Sequence, residues 1–160
     1  MLTGTLAPEV ATIALAIGLM FAFVCYLTTN LSPGGMITPG WIAVTVTEDP
    51  RKLVVIAAVT ALTYGSTLVL QRAVILYGKR LFAAVIMISV LFSTGLFLLV
   101  HNDFPLLFVH QTLGFIIPGL IGYQLVRQPK RATIACTAAV SLAAYGVLAS
   151  GILLDLIPTA

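Results

Sequence analysis

Charge is the scarcest commodity in this sequence. Only 8% of its 160 residues are Asp, Glu, Lys or Arg, against 60% hydrophobic, a balance outside that of soluble domains. The polar stretches that do occur, near 47–52 and 127–131, are too short to build an aqueous domain. Any chemistry that needs a large solvated active site must therefore come from a partner. Cysteine is nearly absent too. Cys25 and Cys136 both sit in apolar runs without metal-ligand spacing, and each reads as a buried, inert thiol. No set of His, Asp or Glu has metal spacing, and no serine stands in a nucleophile motif. Gly78-Lys79 lacks the upstream glycine of a phosphate-cradling loop, so ATP chemistry by this chain alone is not expected.

What is present is length without charge. Four charge-free runs, 10–27, 53–70, 81–100 and 132–154, approach or exceed the ~20 residues that a helix needs to cross a bilayer. No basic residue precedes the first, which reads as a retained span rather than a secretory signal. The expected fold is all-α and polytopic, a single membrane domain over 1–160.

Two stretches echo each other. "GGMITPGWI" (34–42) and "LGFIIPGLI" (113–121) share G-x-I-x-P-G-x-I. Gly35 and Gly114, Ile37 and Ile116, Pro39 and Pro118, Gly40 and Gly119, and Ile42 and Ile121 are each 79 residues apart. The same shift carries Pro50-Arg51-Lys52 onto Pro129-Lys130-Arg131, and a two-residue slip carries Tyr64-Gly65 onto Tyr145-Gly146. The chain thus reads as two internal repeats, about 9–77 and 81–156, each a long span, a Pro-Gly segment, a basic turn and a second long span. Duplication of this kind is common in transport folds, where sites lie at repeat interfaces; a purely structural bundle is the plainer alternative.

Proline and glycine should interrupt each short segment, and we expect two half-helices joined by an extended Thr38-Pro39-Gly40 link. Broken backbone is tolerated in a bilayer only where protein or a watery cavity shields it. If both segments cross, there are six crossings. Arg72, Lys79, Arg80, Arg127, Lys130 and Arg131 then share one face against Arg51 and Lys52. If both re-enter, the split is five to three. The positive-inside rule favours six crossings with the larger group cytoplasmic.

Ala139, Ala143, Gly146 and Ser150 fall on one face of the last span and predict a tight helix contact, within the chain or with another copy. His110 and Gln111 interrupt an apolar run, as a polar lining or as an interfacial pair. His101 and Asp103 mark a loop, and Asp155 a C-terminal cap. Asn30-Leu31-Ser32 matches a glycosylation acceptor, a weak three-residue pattern that we discount.

In "SPGGMITPGWIAV" (32–44), "VILYGKRLFAAV" (74–85) and "LGFIIPGLIGYQL" (113–125) the chain resembles the PgsC/CapC membrane subunit of bacterial poly-gamma-glutamate synthase, over nearly its whole length. The segment 96–111 matches less well, so its histidines and aspartate take no family role. The resemblance implies a multi-pass protein of the bacterial cell membrane. Its partners would be a cytoplasmic PgsB/CapB-type ligase, which activates a glutamate carboxylate as an acyl phosphate, and a PgsA/CapA-type export subunit. ATP and a divalent metal belong to that ligase; no cofactor on this chain, no catalytic residue and no nucleic-acid partner are implied.

A chain with one carboxylate per residue cannot enter lipid without a polar, positively biased path. Gly35, Thr38, Pro39, Gly40, Gly114, Pro118 and Gly119 are the candidates for lining it. Arg72, Tyr77, Lys79, Arg80, Arg127, Lys130 and Arg131 are the candidates for docking the ligase or the polymer. A chain this small suggests a homo-oligomer around such a path. The alternative reading is a small-solute transporter or channel on inverted repeats, and a membrane scaffold ranks third.

Overall fold

The computed structural model describes residues 8–100 and 112–154, so His101, Asp103, His110, Gln111 and Asp155 lie outside the described residues. All regular structure there is helical: α1 Pro8–Thr29, α2 Thr38–Glu48, α3 Arg51–Ala73, α4 Gly78–Val100, a 3-10 turn Thr112–Phe115, α5 Ile117–Arg127 and α6 Lys130–Leu153. The long helices α1, α3, α4 and α6 are each long and apolar enough to cross a membrane. Their outward side chains are those of a lipid-facing surface: Met20, Val69, Met87, Leu91 and Leu142 are all more than 60% exposed.

The Pro-Gly segments are not extended links. Thr38, Pro39 and Gly40 form the first turn of α2, and Ile117, Pro118 and Gly119 the first turn of α5. Proline fits there because a first-turn N–H has no intrahelical acceptor to lose, and its fixed φ already suits a helix. Both helices open alike, with Trp41 N donating to Ile37 O at 3.2 Å and Leu120 N to Ile116 O at 3.1 Å. The break lies upstream instead. Before α2 the chain leaves helical geometry through Asn30 (φ 56°), Gly34 (φ 66°) and Gly35 (φ 108°), left-handed values that glycine adopts without a steric cost.

Two compact units result. One contains α1, α2 and α6; the other contains α3 from Val54 onward, α4 and α5. Sequence neighbours α2 and α3 therefore belong to different units. In the first unit, Val10, Ala14, Val44 and Leu148 form an apolar cluster flanked by Ala11 and Ile152. Cys25 and Cys136, expected to be buried free thiols, are half-buried and bonded to each other, joining α1 to α6. A sequence separation of 111 hides that proximity from the sequence.

Burial follows the same faces in both units. Val10, Ala14, Gly18 and Ala22 are buried in α1, and 71 residues later so are Leu81, Val85, Ser89 and Ser93 in α4. Ile56, Val59, Thr60, Thr63 and Thr67 are buried in α3, and 81 residues later so are Thr137, Val140, Ser141, Ala144 and Leu148 in α6. Within the chain, the contact predicted through Ala139, Ala143, Gly146 and Ser150 is not made. Those four residues are exposed, and a Cβ on Gly146 would meet nothing within 4 Å. The packing face of α6 is instead its hydroxyl stripe.

Candidate functional site

Each short helix begins against the middle of a long one. Gly40 lies against α1 so closely that an added Cβ would stand 2.8 Å from Leu15 Cα and 2.9 Å from Ala14 O, while one on Gly18 would overlap the Gly40 backbone. Gly18 is near the midpoint of α1, and Val44 joins Val10 and Ala14 toward its start. Hence α2 runs antiparallel to α1, from mid-length to one end, over roughly 16 Å at 1.5 Å per residue. The residues before it, 30–37, cover the other half as non-helical chain, pinned where Thr38 Oγ1 donates to Gly34 O at 2.7 Å. Gly18 lies outside the repeated motif, and its signal in the sequence is a lone glycine in an otherwise apolar run.

The second unit repeats this with a difference. A Cβ on Gly119 would stand 2.9 Å from Ser89 Cβ, and one on Gly122 3.4 Å from Thr63 Cγ2. Ser89 is near the midpoint of α4, and the ring of Phe82 meets that of Tyr123 edge-on at 5.2 Å, so α5 is antiparallel to α4. Ser89 takes the place that Gly18 has in the first unit, and its hydroxyl donates to Phe115 O at 3.1 Å. That bond ties α4 to the place where the 3-10 turn Thr112–Phe115, which contains Gly114, passes into α5. Gly35 and Gly114 are both half-buried, whereas Thr38, Pro39, Gly40, Pro118 and Gly119 are fully enclosed.

The proposed basic cluster divides between the units. Arg72 ends α3, Lys79 and Arg80 begin α4, and Arg127 ends α5. The Phe82–Tyr123 contact brings Arg127 to the same end as Lys79 and Arg80. Its guanidinium donates to Tyr123 Oη at 2.9 Å and lies 5.4 Å from the ring centroid. All four cations are exposed, as is Tyr77 at 78%. Lys130 and Arg131 follow at the start of α6, in the other unit, and are exposed too. Lys79, Arg80, Lys130 and Arg131 sit at helix N-termini, where the dipole disfavours positive charge. Helix stability therefore does not explain them.

At the far end of α2, Lys52 Nζ lies 3.3 Å from Glu48 Oε2 with both side chains largely shielded, and Asp49 Oδ1 accepts from Arg51 N at 2.9 Å, capping α3. Among the described residues no group of three His, Cys, Asp or Glu stands together as a metal site.

Residues 17–134 match the family profile described as capsule biosynthesis CapC. The capsule biosynthesis protein CapC of Bacillus anthracis is 31% identical over 141 residues, covering 85% of this chain and 91% of the relative. The PGA biosynthesis protein CapC of Bacillus subtilis (strain 168) is 29% identical over 143 residues with the same coverage. No solved structure matches. Three regions carried the resemblance in the sequence, and the profile spans all of them: the chain belongs to the CapC family of capsule-biosynthesis proteins.

Proposed function

We propose that the chain is the integral membrane subunit of a poly-gamma-glutamate synthase, docking a cytoplasmic CapB-type ligase and passing the nascent anionic polymer toward a CapA-type export subunit. The names of its relatives support the pathway. The observation that carries the rest is the pairing of exposed cations at one end of α3, α4 and α5 with a backbone break at mid-helix in each unit. The docking residues of the proposed collar are Arg72, Tyr77, Lys79, Arg80 and Arg127 in one unit and Lys130 and Arg131 in the other. In this reading the breaks ahead of α2 and α5 leave the N-termini of those helices, Thr38–Gly40 and Ile117–Gly119, as positive dipole ends for the passing carboxylates. ATP and a divalent metal act on the ligase, and this chain binds no cofactor of its own.

In this reading 1–160 is one multi-pass domain of the bacterial cell membrane, built from two repeats, about 9–77 and 81–156. The matching burial of α1 with α4, α2 with α5 and α3 with α6 supports duplication. Because α2 continues from the midpoint of α1 toward its start, the non-helical residues and α2 together span the length of α1, which supports six crossings. Cysteines placed at Pro50 and Pro129, in a chain with Cys25 and Cys136 replaced by alanine, should react with an impermeant thiol reagent from opposite faces of the membrane. Reaction from one face would restore the re-entrant arrangement.

The function itself is tested by purifying the protein from its native membrane. A co-eluting ATP-dependent amide ligase supports the reading; recovery of the chain alone, with solute flux in proteoliposomes, would replace it with the transporter.

A further inference from the structure

The non-helical residues before α2 follow the C-terminal end of α1 with backbone groups that no helix can satisfy; Gly34 N donates to Ser32 O at 2.9 Å. Ser32 is the first whose N–H and C=O both meet one side chain. Ser32 decides the orientation of that side chain: its N–H can only donate and its C=O can only accept, so the Gln128 oxygen must face Ser32 N and the nitrogen Ser32 O, while the Thr133 hydroxyl, which donates to Pro129 O at 3.1 Å, accepts from the same nitrogen. In this orientation the Gln128 nitrogen donates to Thr133 Oγ1 and to Ser32 O, each at 3.2 Å, and its oxygen accepts from Ser32 N at 3.1 Å. The amide thus pairs with Ser32 as a neighbouring strand would, and Ser32 is followed at once by Pro33, Gly34 and Gly35.

Gln128 also sits inside the basic turn, half-buried between exposed Arg127, Lys130 and Arg131. Charge does not explain it, and at the matching place 79 residues earlier stands Asp49, whose carboxylate accepts from Arg51 N within its own turn. We infer that Gln128 is a positioning residue that fastens the broken backbone ahead of α2 to the basic turn, so that a partner seated on the turn shifts the break through two parallel hydrogen bonds. This rests on the docking reading of the collar. It adds a mechanical link between docking and path that the first break has through Gln128, and it makes the shift of residues 32–37 a consequence of ligase binding.

The link is read with a cysteine at Met36, a half-buried position beyond the clamp, in a chain with Cys25 and Cys136 replaced by alanine. Maleimide labelling rates are measured with and without the co-purified ligase. With Gln128 intact, ligase binding should change the rate by ~5-fold or more, the lower range of ordinary coupling between sites. In Gln128→Leu the rate should be raised and should no longer respond to the ligase, although the ligase is still recovered. A ligase response of equal size in Gln128→Leu, or none with Gln128 intact, overturns the proposal. Failure of the ligase to co-purify at all overturns the docking reading instead. Should Gln128→Leu not be recovered folded, Thr133→Val serves, since it removes the hydroxyl that holds the amide nitrogen beside Ser32; it must weaken the ligase response, and an unchanged response again overturns the link.

Discussion

Gly18→Val and Gly40→Val should each remove most of the folded protein. At Gly40 the new Cβ would stand 2.8 Å from Leu15 Cα and 2.9 Å from Ala14 O, and at Gly18 it would overlap the Gly40 backbone. These neighbours are main chain, so no rotamer change relieves the clash and α2 must move off α1. Overpacking a core commonly costs 1–3 kcal/mol; with backbone on both sides we expect ~3 kcal/mol or more, a large part of the 5–15 kcal/mol that a domain has. Gly65→Ala and Gly146→Ala provide the contrast. Neither added Cβ meets anything within 4 Å, and helical Gly→Ala removes backbone freedom from the unfolded chain. The check is the monodisperse fraction in detergent after mild heating: lost in the first pair, unchanged or raised in the second.

Replacing Lys79 and Arg80 together by glutamine should lower ligase recovery and polymer output by roughly 5–30-fold, the effect of losing two modest charged contacts at an interface. The folded yield should not fall with it. Both residues occupy the first turn of α4, where positive charge opposes the helix dipole, and both are exposed. Glutamine keeps the length and polarity of the side chains while relieving that repulsion. Reduced output with retained yield is the signature of a docking role; unchanged output together with unchanged ligase recovery removes Lys79 and Arg80 from the collar.

Much of the helical frame was legible. The charge-free run 10–27 became Pro8–Thr29 and 132–154 became Lys130–Leu153, because length without charge is itself the constraint that a bilayer imposes. The inward faces were harder to read. Lipid and protein interior are both apolar, so a transmembrane helix carries no polar-apolar contrast to mark its packed side. The mark was in the hydroxyls: Thr60, Thr63 and Thr67 in α3, Ser89 and Ser93 in α4, and Thr133, Thr137 and Ser141 in α6 are all buried. Thr60, Thr67 and Thr137 bond back to the carbonyl four residues earlier, which lets a polar side chain lie inside without a partner on another helix.

The alanine and glycine face of α6 drew attention because small residues often line contacts, yet it is the exposed one. The Pro-Gly pairs were read as interruptions because proline is costly inside a helix. That rule does not reach the first turn, and this is where Pro39 and Pro118 lie. The Gln128 pairing with Ser32 was out of reach altogether, since it joins the end of one connection to the start of another 96 residues earlier (128 − 32).

Whether the chain carries the polymer or only anchors its synthesis is decided at the second break. Gly119→Ala presses a methyl against Ile86 Cδ1 at 3.0 Å, which can turn away, and Ser89 Cβ at 2.9 Å, which can move only with its helix, so α5 should shift slightly on α4 while the protein still folds and still binds its ligase. The measurement is the distribution of poly-gamma-glutamate between cell interior and exterior in that variant. A polymer path through the break predicts continued synthesis with product accumulating inside. Product released outside at the normal level, or loss of synthesis on both sides with the ligase still bound, would contradict it.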